Sequence, residues 1–118
     1  MKSLIAVFVL AVATVVQTRA EPPPDFLRAE TKVWTDWMET VVDVQLKDVP
    51  IFELSNVAPF ERMNMGAGIK SGPEFRVSLD VKHVTRREAL WLLAVKYGLS
   101  MKVGRVGDKP FFVQITKP

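Results

Sequence analysis

The sequence predicts an α+β domain built from two similar strand–helix units. The first unit contains VQLKDVPIFEL at 44–54, and the second contains LDVKHVTRREA at 79–89, 35 positions later. In each segment, a run that alternates apolar and polar residues passes after one turn residue into an apolar pattern of helical spacing. Because a unit of this size cannot bury its apolar face alone, we expect the two units to pack together. The predicted order is β-α-β-β-α-β-β, preceded by a short N-terminal helix.

Residues 1–20 have the layout of a cleaved secretory signal peptide. Lys2 gives a basic start, an apolar stretch of thirteen residues occupies 4–16, and Thr18 and Ala20 are the small residues of a cleavage site. Thirteen residues are fewer than the roughly 20 that a helix needs to cross a bilayer. We therefore expect cleavage, export and no transmembrane segment in the mature chain. An uncleaved N-terminal anchor is the alternative.

Residues 21–40 are predicted to form a proline-rich spacer and a leading helix. The three prolines at 22–24 favour a stiff, extended segment. The apolar spacing then becomes helical, and Asp25 is placed to cap the first turn. The apolar face of this helix contains Phe26, Val33 and Trp37. A strand over 32–39 is the alternative, since tryptophan and valine also favour strands.

The first unit is predicted to contain a strand, a short helix and a second strand. Residues 42–47 alternate apolar and polar residues, as half-buried strands do. Pro50 suits the first position of a helix, where its missing N–H costs nothing. Pro59 interrupts that helix, which should be short or kinked. A brief strand at 64–69 and a turn at 71–73 follow.

The second unit repeats this order with clearer signals. A strand at 75–82 leads into Thr85-Arg86-Arg87-Glu88, a capping box in which the threonine and the glutamate satisfy each other's free amides. The helix is predicted from Arg86 to Tyr97, and Gly98 supplies the left-handed residue that ends it. The last elements are a strand at 99–106, a turn at 107–110 and a strand at 111–116.

Composition argues against several classes of function. Without Lys2 and Arg19, the chain carries 14 basic and 13 acidic residues, interspersed, which gives little support for binding nucleic acid. The chain has no cysteine, so it forms no disulfide and offers no thiolate to a metal. His83 is the single histidine, and we expect it to be solvated at a strand end. We therefore expect no catalytic residue, no metal and no cofactor.

Three stretches carry a resemblance to a known family: LKDVPIFEL at 46–54, GIKSGPEFRVSLDVKHVTRREALWLL at 68–93 and YGLSMKV at 97–103. An alternating strand, Lys-Asp-Val-Pro and a helix are followed by a glycine-rich loop, a second alternating strand, Val-Thr-x-x-Glu-Ala-Leu, a helix and Gly-Leu. This succession resembles the secretin and TonB short N-terminal domain. The resemblance covers about 41–116, and we assign 41–118 to a stand-alone, exported copy of this domain.

The resemblance implies a fold in which two helices pack between two small sheets, and a location in the bacterial periplasm. In secretins the domain faces inner-membrane components of a secretion or pilus machine, and in TonB-dependent transducers it relays a signal to an anti-sigma regulator. The family is not known for catalysis. For this chain we expect a secreted module for protein–protein interaction that binds another cell-envelope protein of a secretion, pilus or TonB-linked system.

Aromatic residues are the candidates for the partner-binding surface, because tryptophan is frequent at binding hot spots. The candidates are Trp34, Trp37, Trp91, Phe111 and Phe112. Packing of the leading helix onto the core is the other interpretation of the tryptophans. The final strand could accept a partner strand if it lies at a sheet edge. Two other functions stay open: a module that binds cell-wall or outer-membrane glycan by stacking on tryptophan, and, third, an envelope hydrolase.

Overall fold

The described part of the chain, in a computed structural model, comprises residues 21–29, 31–69, 74–104 and 112–117. It is an α+β fold with two small sheets. Its elements are helix α1 (Lys32–Glu39), strand β1 (Val41–Pro50), a 3-10 helix (Ile51–Asn56), strands β2 (Asn64–Ile69) and β3 (Arg76–Thr85), helix α2 (Arg86–Tyr97), and strands β4 (Ser100–Gly104) and β5 (Phe112–Lys117). The predicted signal peptide at 1–20 and the predicted turns at 71–73 and 107–110 lie outside the described residues. No described helix has the length and apolar character needed to span a bilayer.

The leading helix is shorter than the sequence indicates. It begins after Thr31, and the residues at 24–27 form a turn in which the N–H of Phe26 donates to the carbonyl of Pro23 at 3.0 Å. The prediction that Asp25 caps the helix is therefore wrong, and so is the alternative of a strand over 32–39. A turn can also bring apolar side chains to the core, so the apolar spacing alone did not reveal where the helix begins.

Strands β1 and β3, which contain the two similar sequence segments, pair with each other in an antiparallel sheet. Gln45 pairs with Asp80, and these two residues occupy equivalent positions in the two segments. Leu46 pairs with Leu79, and Val44 pairs with Val81, on either side of that point. The pairing is therefore symmetric about the Gln45–Asp80 pair.

Each of these two strands carries a β-bulge at the equivalent place. Asp48 and His83 have positive φ angles of 53° and 56°, and each lies where two residues face one on the opposite strand. The N–H of Asp48 donates to Oγ of Ser78 at 2.9 Å, and the N–H of His83 donates to Oδ1 of Asp43 at 2.9 Å. His83 is exposed, and its backbone conformation belongs to this bulge.

The symmetry is not carried into the helices. The first segment continues into a 3-10 helix of six residues, whereas α2 has twelve. Pro59 lies three residues beyond the 3-10 helix, and a proline cannot donate the hydrogen bond that would continue a helix. The short first helix expected from the sequence is thus a single 3-10 element.

The second sheet has the order β2-β5-β4. Strand β5 runs parallel to β2 and antiparallel to β4, so both of its sides are hydrogen-bonded. The expectation that the final strand could accept a partner strand at a sheet edge is therefore wrong. Among the described strands, the edges of this sheet are β2 and β4.

The core is filled by aliphatic, aromatic and methionine side chains from both helices, the 3-10 helix and all five strands. No polar or charged residue of the described chain is buried. The largest fully buried side chains are Phe60, Met38, Ile51, Leu54, Leu90, Leu93 and Ile115. Since the chain has no disulfide, packing of these side chains has to hold the fold together.

Helix α2 has the boundaries that the sequence predicts. Oγ1 of Thr85 accepts a hydrogen bond from the N–H of Glu88 at 3.0 Å, which confirms the N-terminal cap. Gly98 ends the helix in the left-handed conformation with a φ of 65°, and the N–H of Leu99 donates to the carbonyl of Ala94 at 2.8 Å. Both ends of this helix are therefore determined locally.

Replacing Gly98 by alanine should lower the free energy of unfolding by about 1 kcal/mol, the cost of a left-handed conformation for a residue with a Cβ atom. A Cβ added at Gly98 would meet nothing within 4 Å, so no steric clash adds to this cost. Gly98→Asn should lower the free energy of unfolding by less than Gly98→Ala does, because asparagine tolerates the left-handed conformation better than alanine. Urea denaturation of both variants measures the difference. An equal loss in the two variants would contradict the conformational explanation.

Candidate partner-binding surfaces

The first candidate residue, Trp37, belongs to the core. It is only 7% exposed, and the guanidinium of Arg86 lies over its ring at 4.8 Å from the centroid. Trp34 is half-buried, with its ring at 6.0 Å from that of Trp37 in an edge-to-face arrangement, and Arg62 lies over it at 5.8 Å. The two tryptophans of α1 thus have different environments: Trp34 is half-buried, whereas Trp37 is almost fully covered.

A cleft of about 610 Å³ lies between α1 and the segment 58–62. Trp37 and Arg86 line it together with Pro59, and Val33, which is 62% exposed, lines it from α1. Charged residues of both signs also line the cleft: Asp36, Glu61 and Arg62. The cleft therefore combines an apolar, aromatic lining with balanced charges.

Arg86 connects the elements around this cleft. Its Nε donates to the carbonyl of Pro59 at 2.8 Å, and its Nη1 donates to the carbonyl of Trp37 at 3.0 Å. Burial lowers the pKa of Arg86 from its ordinary value, nearby Arg62 lowers it further, and Glu61 opposes the change. The charge is thus partly desolvated, and the backbone carbonyls of two segments compensate for the lost water.

This role of Arg86 could not be predicted from the sequence. The motif Thr85-Arg86-Arg87-Glu88 identified a helix start, and its arginines were two unremarkable positions within it. The acceptors of Arg86 are backbone carbonyls 27 and 49 positions away. Since every residue carries a carbonyl, no residue type in the sequence marks such a contact.

The third tryptophan, Trp91, lies on α2 beneath the N-terminal segment. It is half-buried, and its ring centroid lies 4.9 Å from that of Phe26, in an edge-to-face arrangement. Its Nε1 atom is buried and has no acceptor among the described residues. Trp91 therefore packs mainly against this chain's own segment.

Arg87 fastens the N-terminal segment to α1 and α2. Its Nε atom forms a salt bridge with Oε1 of Glu39 at 2.8 Å. Its Nη1 atom donates to the carbonyls of Pro23 and Phe26, at 3.0 and 3.3 Å. Leu27 of the same segment is buried in the core with a positive φ of 47°. The segment is thus a packed part of the domain, and the bond from Arg87 to the carbonyl of Pro23 extends this attachment into the predicted spacer.

A groove of about 490 Å³ separates this segment from strand β4. It is lined on one side by residues within 23–28 and on the other by Met101, Lys102 and Val103. Met101 is buried, whereas Lys102 and Val103 are exposed. This groove is the second surface feature of interest.

The side chains of the remaining candidate residues, Phe111 and Phe112, are not described by the structure. Phe111 lies outside the described residues, and Phe112 is the first residue of β5, but its side chain is not among those described. In the parts of the chain that the structure describes, no three histidine, cysteine, aspartate or glutamate side chains gather as metal ligands would.

Comparison with known proteins returned no match: no protein-family model, no curated protein and no solved structure matches this chain.

Proposed function

We propose that this protein is an exported, non-catalytic module that binds another protein of the bacterial cell envelope. Its fold would be a stand-alone copy of the secretin and TonB short N-terminal domain, with two helices between two small sheets. The symmetric pairing of β1 with β3 at equivalent positions supports the repeated architecture. The partner would belong to a secretion, pilus or TonB-linked system of the periplasm.

The observation that carries the proposal is the cleft between α1 and residues 58–62. A valine that is 62% exposed there adjoins an aromatic and arginine-lined surface. Tryptophan and arginine are enriched at the centres of protein interfaces, where they combine apolar area with hydrogen bonding. The acidic Asp36 and Glu61 and the basic Arg62 surround this centre, as polar residues surround an interface core.

The arrangement of the tryptophans favours a protein partner over a glycan. Sugar rings stack on exposed aromatic faces, but Trp37 is buried and Trp91 packs under Phe26. Trp34 and Trp91 are both half-buried, so none of the three tryptophans is fully exposed. A platform of several stacked rings, which the glycan alternative requires, is therefore not formed by the described residues.

Replacing Val33 by glutamine should reduce capture of the partner by about tenfold, the effect of removing an apolar contact at an interface centre. The full-length gene product, with a C-terminal affinity tag, is expressed in its source cell, cross-linked in the envelope and purified. The wild-type protein should retain one dominant envelope protein. Glutamine is chosen because it carries no charge and therefore adds no charge–dipole interaction at the helix end.

Val95→Gln is the matched control, since Val95 is a 55% exposed valine on the other helix. It should capture as much partner as the wild type, and both variants should keep the wild-type midpoint of urea denaturation. Equal capture by all three proteins would contradict a role for the cleft. Capture of cell-wall material alone would favour the glycan alternative.

A further inference from the structure

Strand β4 has one side paired with β5 and the other side unpaired among the described strands. Successive residues of a strand point to opposite faces of its sheet. The groove beside β4 is lined by Met101, Lys102 and Val103, which are three successive residues. A groove that reaches residues of both faces runs along the edge of the strand, so it borders the unpaired backbone of β4.

The opposite wall of the groove is the N-terminal segment 23–28. No backbone hydrogen bond joins this segment to β4 among the described residues. The segment is held in place by Arg87 and by the packing of Phe26 on Trp91. The groove is thus preformed, with a strand edge on one side and a fixed wall on the other.

A row of free N–H and C=O groups is best satisfied by another extended strand. The side chains of β4 then determine which strand fits, because cross-strand neighbours on each face interact. On one face Met101 is buried and Val103 is exposed, both of them apolar, and on the other face Lys102 presents a positive charge. An added strand should therefore place apolar residues on the first face and acidic residues on the second.

The charges that line the groove also favour an acidic strand. Two cationic residues, Arg28 and Lys102, and one anionic residue, Asp25, line it. Neither Arg28 nor Lys102 forms a salt bridge with another described residue. Both cations are exposed and available to a ligand.

We propose that the β4 groove binds an extended peptide segment in which apolar residues alternate with acidic residues. The bound segment adds a strand to the edge of the β2-β5-β4 sheet. This inference deepens the proposed function by naming the chemistry of a partner segment, and it rests on that function only in that the segment belongs to another protein. It does not require that the cleft beside α1 be a binding site.

The test uses the tagged full-length gene product and synthetic seven-residue peptides with a fluorescent label. The first peptide alternates valine and glutamate, the second alternates valine and lysine, and the third has the composition of the first with its valines and glutamates in two blocks. Fluorescence anisotropy measures each dissociation constant. The alternating acidic peptide should bind, and each of the other two should bind about fivefold or more weakly.

Charge reversal at Lys102 tests the position of the peptide. Lys102→Glu should weaken the acidic peptide by about fivefold and should strengthen the basic one. Lys47→Glu, at an exposed lysine of β1, is the matched control and should change neither affinity. Because both lysines are exposed, the two variants should fold as the wild type does.

Two N-methylated forms of the acidic peptide test strand addition itself. One is methylated at every valine nitrogen and the other at every glutamate nitrogen. In an edge pairing only alternate amides of the peptide donate to β4, so only one of the two forms is methylated at the amides that donate. That form should lose more than about tenfold in affinity, and the other form should bind much more tightly. Equal binding of both forms, or no binding of the unmethylated acidic peptide, would overturn the inference.

The two proposals fail separately. If Val33→Gln loses the envelope partner while no peptide binds, the proposed function stands and the β4 groove is not a peptide site. If the acidic peptide binds as expected while no envelope protein is captured, the groove is established and the envelope function fails. Lys102→Glu in the capture experiment shows whether the captured protein uses the groove.

Discussion

Replacing Phe60 by alanine should unfold the domain or lower its free energy of unfolding by about 3–5 kcal/mol, the usual cost of removing a buried phenylalanine ring. Phe60 is 0% exposed and is the largest fully buried side chain of the described chain. It lies in the connection between the 3-10 helix and β2, where its N–H donates to the carbonyl of Val57 at 2.9 Å. A cavity at this position would remove contacts that no disulfide could replace.

The matched control is Phe52→Ala, since Phe52 is 40% exposed and lies within the 3-10 helix. It should cost about 1 kcal/mol or less, because a partly exposed ring leaves little cavity. Urea denaturation followed by tryptophan fluorescence gives both values. A similar loss in the two variants would show that Phe60 is not an anchor of the core.

A small domain has a free energy of unfolding of only about 5–15 kcal/mol, so the expected loss at Phe60 is a large fraction of the total. In the sequence, Phe60 extends the apolar stripe of the first predicted helix beyond the proline that interrupts it. Connections are usually exposed, whereas this one carries a fully buried ring. Burial at such a place depends on neighbours distant in the sequence, and those neighbours are not encoded by local periodicity.

The sequence correctly predicted the elements whose limits depend on residues close together in the chain. Helix α2 has a cap, a continuous apolar pattern and a left-handed glycine, and its observed boundaries are those predicted. The β2 strand at 64–69 was also predicted with its observed limits. Each of these features depends on residues a few positions apart, so a pattern in the sequence is sufficient.

Long-range pairing was the part that the sequence did not reveal. The final strand carries its own apolar alternation, but its place between β2 and β4 depends on which strands join it. The symmetric bulges in β1 and β3 could not be predicted from the sequence either. The side chains that accept from the bulge amides are those of Ser78 and Asp43, which differ in residue type although their positions correspond.

The candidate surfaces were predicted only in part. Trp37 lines the cleft although it is mostly buried, Trp34 packs beside Trp37 without lining the cleft, and Trp91 packs under Phe26. The two arginines of the capping box hold both surfaces in shape, through bonds to carbonyls and a carboxylate far away in the sequence. Such bonds become visible only when the backbone is in place.

Arg86→Lys should lower the free energy of unfolding by about 2 kcal/mol, although it keeps the charge. The planar guanidinium donates to the carbonyls of Pro59 and Trp37 at once, and it also stacks on the indole of Trp37. An ammonium group has neither the fork geometry nor the flat face. Lysine at position 86 therefore leaves one carbonyl without its donor and loosens α1 from the segment that contains Pro59.

Arg76→Lys is the control for this substitution. Arg76 also donates to a backbone carbonyl, that of Asp48 at 3.0 Å, but its side chain is half exposed and water can replace the bond. Arg76→Lys should therefore lower the free energy of unfolding by less than about 0.5 kcal/mol. Because each substitution replaces one cationic side chain by another, the difference between the two variants should be the same at about pH 6 and about pH 8.

The Arg86 variant also separates the shape of the cleft from its chemistry. If Arg86→Lys loses stability and partner capture while Val33→Gln loses capture alone, the guanidinium holds the two walls in the position that the partner recognises. If Arg86→Lys is as stable as the wild type, the two carbonyl bonds contribute nothing net, and the cleft is maintained by the packing of α1 alone. In that case the partner would contact the exposed Val33 and the aromatic lining of the cleft, and Arg86 would not be needed for binding.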